Sequence, residues 1–115
     1  MEAYATLTGT NTIVGGHATG LSVTYPASST VTMDYTLWYN NTTDYSGGVG
    51  HTNDRSGDPA FVNPAAWDYH IGSGSAALDM GVNAGVTDDI DGDARPQGSG
   101  YDIGADEYTG AMSYR

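Results

Sequence analysis

Two phrases decide the fold: Asn11-Thr12-Ile13-Val14-Gly15-Gly16 and Tyr35-Thr36-Leu37-Trp38-Tyr39-Asn40-Asn41. Each sets a short apolar strand beside asparagine or glycine, and they start 24 residues apart (35 − 11). That spacing falls within the ~20–50 residues of solenoid repeats. Short strands separated by turns would also suit a sandwich, and the repeat favours a coil.

Outward from these phrases, the first half is strand-like. Threonine occupies positions 6, 8, 10 and 12 of the run Ala5–Val14, which places four hydroxyls on one face of a strand. Leu21–Tyr25 is a second candidate strand. Thr30–Tyr39 is a third, with Val31, Met33, Tyr35 and Leu37 expected on one face. Gly15-Gly16 and Pro26–Ser29 supply the turns. No stretch has a helical period with caps. From Tyr45 onward glycine, aspartate, proline and serine dominate, and the aromatics Phe61, Trp67, Tyr69, Tyr101 and Tyr108 are the expected anchors of an ordered loop region.

Composition narrows the function. The 115 residues suit one domain, yet Leu, Ile, Val and Phe total only 16, so the core must be small. With a formal charge of −11 this would suggest disorder, but nine tyrosines, two tryptophans and the alternating stretches argue for a folded β protein. Lysine is absent and the only arginines are Arg55, Arg95 and Arg115, so nucleic acid is a poor partner. Membrane insertion is not expected, because no apolar run reaches transmembrane length. Without cysteine there is no disulfide framework and no thiolate metal site. No signal pattern opens the chain, so an export signal would lie upstream of it.

The second half carries a series of short motifs: Gly57-Asp58-Pro59-Ala60-Phe61, Asp68-Tyr69-His70-Ile71, Gly74-Ser75-Ala76-Ala77-Leu78-Asp79-Met80-Gly81, Asp89-Ile90-Asp91-Gly92-Asp93-Ala94-Arg95-Pro96 and Asp102-Ile103-Gly104-Ala105-Asp106-Glu107. In this order they resemble the C-terminal end of bacterial right-handed parallel β-helix proteins of the choice-of-anchor Q type, whose fold is pectate-lyase-like. Ser75-Ala76 departs from the usual Ser-Pro, and Met80 replaces a small residue. The resemblance implies an all-β, right-handed parallel β-helix with two to three terminal coils over residues 1–50. A loop-rich C-terminal cap over 51–108 and a flexible tail over 109–115 would follow. It also implies a secreted or cell-surface bacterial protein, and a structural capping segment in a non-catalytic adhesion or carbohydrate-contacting module. A fragment of a polysaccharide lyase or glycoside hydrolase is the alternative, by analogy of fold alone. A solenoid with an open first coil is further expected to self-associate through residues 1–40.

Candidate sites follow from residue chemistry. Asp89, Asp91 and Asp93 alternate in an extended loop and could offer three carboxylates to Ca²⁺, although no cofactor is required by the sequence. The EF-hand pattern fails, since glycine falls at the fourth position (Gly92) and the twelfth is Gly100. The plainer expectation is that these aspartates accept backbone N–H bonds in turns, with Arg95 paired to Asp102 or Glu107. His70 lies near Asp68, Ser73, Ser75 and Asp79, the elements of a serine esterase, but no Gly-x-Ser-x-Gly elbow exists. Tyr35, Trp38 and Tyr39 are candidates for stacking on the sugars of a polysaccharide, against burial in the core.

Overall fold

A computed structural model of the chain describes residues 5–24 and 29–109. The expected end of the second strand at Tyr25, most of the turn at Pro26–Ser29, and the tail beyond Thr109 lie outside these residues. The fold is all-β. Its elements are β1 (Ala5–Gly15), β2 (Thr19–Ser22), β3 (Ser29–Tyr39), β4 (Thr43–Ser46), β5 (Val49–Thr52), β6 (Arg55–Ser56), β7 (Phe61–Asn63) and β8 (Asp68–Ile71), with one 3-10 turn at Pro64–Ala66. Among the described residues no helix is long and apolar enough to cross a membrane.

β1 and β3 pair in parallel from Ala5↔Ser29 to Gly15↔Tyr39, an offset of 24 residues throughout. β2 and β4 pair in parallel at the same offset, from Thr19↔Thr43 to Ser46 opposite Ser22. β3 then pairs in parallel with β5 and β6 at an offset of 18 residues (49 − 31). The β1–β3 ladder skips the pair Asn11 and Tyr35, and both residues adopt left-handed backbone with φ of 54°. Asn53, 18 residues beyond Tyr35, has φ of 53°, so the bend recurs at the same place in each row. Asparagine tolerates this region better than most residues, because its short amide bonds locally. A second bend recurs at Gly16 (φ 79°) and Asn40 (φ 56°). Asn41 ties adjacent rows, donating to the Val14 carbonyl and accepting from the His17 N–H, each at 3.0 Å. Gly47 (φ 81°) has to be glycine, since a Cβ there would lie 2.3 Å from the Val23 carbonyl oxygen.

The bend at Tyr35 corrects the expected alternation. Val31 and Met33 are buried, but beyond the bend Thr36, Leu37 and Trp38 are all buried in succession while Tyr35 is partly exposed. The threonine row is interrupted in the same way. Thr6, Thr8 and Thr10 are exposed, and Thr12 lies past the bend at Asn11, partly buried.

Among the described residues two small cores result. Val23, Val31 and Met33, with Leu21 and Val49 against them, form the first within the parallel rows. Leu37, Ile71, Ala77 and Ile103 form the second, flanked by Ile13, Phe61, Ala76 and Tyr108. The loop region therefore packs along the face of the ladder that carries Ile13 and Leu37.

Candidate functional site

The loop region has few strand partners, so its backbone N–H groups need other acceptors. Carboxylates supply them. Asp102, fully buried, accepts from the Asp79 and Tyr108 N–H groups, each at 2.7 Å. Glu107 accepts from the Gln97 N–H at 3.2 Å and the Asp102 N–H at 3.3 Å. Asp89 accepts from the N–H groups of Asp91 and Asp93 at 2.9 Å and of Glu107 at 2.8 Å. Asp106 accepts from Ile71 at 2.9 Å, which ties β8 to the last loop. Arg95 lies 3.6 Å from Glu107 and donates to the Asp102 and Gly104 carbonyls, so it holds the same segment from inside.

At the junction of β8 with the 89–106 loops sits His70. Its Nδ1 meets Asp68 at 2.5 Å and its Nε2 meets Asp91 at 2.6 Å. Among the described residues no serine hydroxyl takes either ring nitrogen. Ser75 is buried and its Oγ accepts from the Ala77 N–H, while Asp79 accepts from the Gly100 N–H. Ser73 lies in an exposed turn. The four residues are thus not assembled as a nucleophile, base and orienting acid. Carboxylate oxygens of Asp89, Asp91 and Asp93 do lie within 4.8 Å of one another, and so do ligand atoms of His70, Asp91 and Asp106.

The aromatic candidates separate. Trp38 is 2 % exposed and cannot stack on a sugar, because the bend at Tyr35 turns it inward against Tyr45. Tyr39 instead borders a groove of about 890 Å³ between the end of β1 and the β7–β8 hairpin, walled by Phe61 and Tyr69 and reaching Asp106. The Phe61 and Tyr69 rings meet edge to face at 5.0 Å. Trp67, held in left-handed backbone at the end of the 3-10 turn, is 82 % exposed.

Protonation follows this geometry. The bond to Asp68 raises the pKa of His70, aided by Asp91 and the charge of Asp106, against burial that lowers it. Burial raises Asp102, Asp106 and Glu107, and outweighs their N–H donors. Bonding to His70 lowers Asp68. Asp89 is also lowered, since burial pushes it up but the N–H groups of Glu107, Asp93 and Asp91 outweigh that. The four raised groups give stability that is full below their unfolded values and lost as pH rises through their folded ones. The two lowered groups give stability that is lost as pH falls below about 3.8. In chelator-treated protein the urea midpoint should therefore rise as pH falls from above 6.5 toward 4.5, and fall again below about 3.8. A midpoint that is flat or falls over the first interval would contradict these protonation states.

Asp68 is legible beside His70 in the sequence, and Asp106 is the site residue that the sequence does not single out. Asp68 stands two positions before His70, a spacing that puts both on one face of a strand. Asp106 is 36 residues from His70 in sequence, and only folding brings them together. Compared with known proteins, the chain matches no family model, no curated protein and no solved structure.

Proposed function

We propose that this chain is the C-terminal end of a right-handed parallel β-helix, with its last turns before residue 57 and a carboxylate-stitched cap beyond. Its role is structural: the cap covers the apolar face of the final turns within a secreted or cell-surface, non-catalytic adhesion protein. The observation that carries this is the common 24-residue register of two separate parallel ladders, with left-handed bends stacked at Asn11, Tyr35 and Asn53. A 24-residue unit with segments at 5–10, 12–15 and 19–22 fits a three-sided coil.

The apolar column at Leu7, Val31 and Val49 supports the same reading. Val31, covered on both sides, is 9 % exposed, whereas its register partner Leu7 is 49 % exposed. Among the described residues no strand pairs with the outer edge of β1. Such an edge, carrying an exposed leucine, is sticky. At micromolar concentration the chain should scatter light as more than a monomer, and Leu7→Lys should shift it toward monomer with an unchanged circular dichroism spectrum. A monodisperse wild-type monomer would sink the open-edge reading. Contact with a polysaccharide, in this proposal, belongs to the Tyr39–Phe61–Tyr69 groove, whose rings offer faces for stacking and whose surroundings lack lysine.

A further inference from the structure

Around His70 the hydrogen-bond pattern leaves a question of charge. With Nδ1–H given to Asp68, the neutral ring would aim its Nε2 lone pair at an Asp91 oxygen 2.6 Å away. Beside it lies Asp106, 7 % exposed, with a carboxylate oxygen within 4.8 Å of the ligand atoms of both. For the neutral ring the His70–Asp91 contact sets lone pair against lone pair, so it needs either a proton on Nε2 or a cation that both atoms bind. Arg95 cannot serve, since it is turned to Glu107 and to the carbonyls of Asp102 and Gly104. A proton on the ring satisfies that contact, and a divalent ion in its place could take Asp106 as a third ligand.

We propose that His70, Asp91 and Asp106 bind a single divalent transition-metal ion, with Asp68 orienting the imidazole from its far nitrogen. The set is compact, with one ligand atom from each residue within 4.8 Å of the others. The Asp68 contact is the carboxylate–histidine arrangement that fixes a ligating ring. Imidazole with two carboxylates suits zinc or a neighbouring first-row ion. Calcium prefers six to eight oxygens, which favours neither the ring nor so few carboxylates. The site differs from the Asp89–Asp91–Asp93 group in its ligands: Asp89 has both oxygens committed to three backbone N–H groups. Bound there, the ion would pin the β7–β8 hairpin to the 89–93 loop. Asp106 also borders the groove, which leaves the neighbourhood open to solvent on one side. This inference stands apart from the β-helix proposal and would survive its failure.

Titration calorimetry of the full chain with Zn²⁺, Ca²⁺ and Mg²⁺ tests it. One Zn²⁺ should bind per chain, ahead of Ca²⁺ and Mg²⁺. Buffers of different ionisation heat should reveal one to two protons released per ion near pH ~6, fewer as pH rises. His70→Gln keeps a donor for the carboxylates but is a poor ligand, and should weaken zinc by more than about 100-fold. Asp68→Asn should weaken it by about 10–100-fold, and this graded loss carries the test should His70→Gln fail to fold. Asp93→Asn should leave zinc affinity unchanged. Absence of zinc binding to folded wild-type chain would overturn the proposal. So would zinc binding unaffected by either His70→Gln or Asp68→Asn, or a preference for calcium that depends on Asp93.

Discussion

Glu107→Ala is expected to lower the unfolding free energy by about 3–5 kcal/mol, a large share of a small domain's stability. Glu107 is 1 % exposed, and its two oxygens serve the N–H groups of Gln97 and Asp102 while Arg95 stands 3.6 Å away. Alanine removes all three contacts. It leaves one part-buried donor (Gln97) and one buried donor (Asp102) without acceptors, at ~1–3 kcal/mol each, and a guanidinium whose side chain is 6 % exposed without its carboxylate. Few apolar side chains are available to absorb such a loss. Urea unfolding followed by tryptophan fluorescence would measure it. Glu107→Gln keeps one acceptor oxygen and the shape of the side chain, so it should cost roughly half as much. An alanine variant within about 1 kcal/mol of wild type would mean that the cap does not depend on this carboxylate.

Leu37→Ala should be nearly as costly, at about 2–5 kcal/mol, for a different reason. Leu37 is fully buried and is the β3 member of the core that Ile71, Ala77 and Ile103 complete from the loop region. Truncating it opens a cavity at the seam between ladder and cap. The loss should therefore appear as separation of the cap before the ladder unfolds. Hydrogen exchange would show it: the Ile103 N–H, bonded to the Ala77 carbonyl at 3.0 Å, should lose protection before the β1–β3 amides. Met33→Ala, in the core confined to the parallel rows, should lower stability without that order of events. Uniform loss of protection in Leu37→Ala would mean that ladder and cap unfold as one unit.

How much of this was legible differs residue by residue. The 24-residue spacing between the phrases at Asn11 and Tyr35 is the register of both parallel ladders, because stacked rows demand the same bend at the same place. Asn11, Asn40 and Asn53 advertise left-handed bends by residue type, whereas Tyr35 does not. That one concealed bend broke the expected alternation of β3, buried Thr36 and Trp38 beside Leu37, and left Tyr35 partly exposed. The turn-closing aspartates were also readable, since short acidic side chains in glycine-rich loops have nearby N–H groups to accept.

An acidic, core-poor, all-β chain with a 24-residue repeat and a loop-rich second half is readable from the residues alone. These are properties of composition and local backbone preference, carried by neighbours along the chain. Only the tertiary structure decided that the loops pack on the face holding Ile13 and Leu37, and that His70 meets Asp91 and Asp106. Those partners lie 21 and 36 residues away, and no local preference encodes a contact across that distance. The TDDIDGDARPQGSGYDIGADEY segment, residues 87–108, shows both limits. Its charge was plain to read, but which carboxylates hold backbone and which face an imidazole was settled by packing.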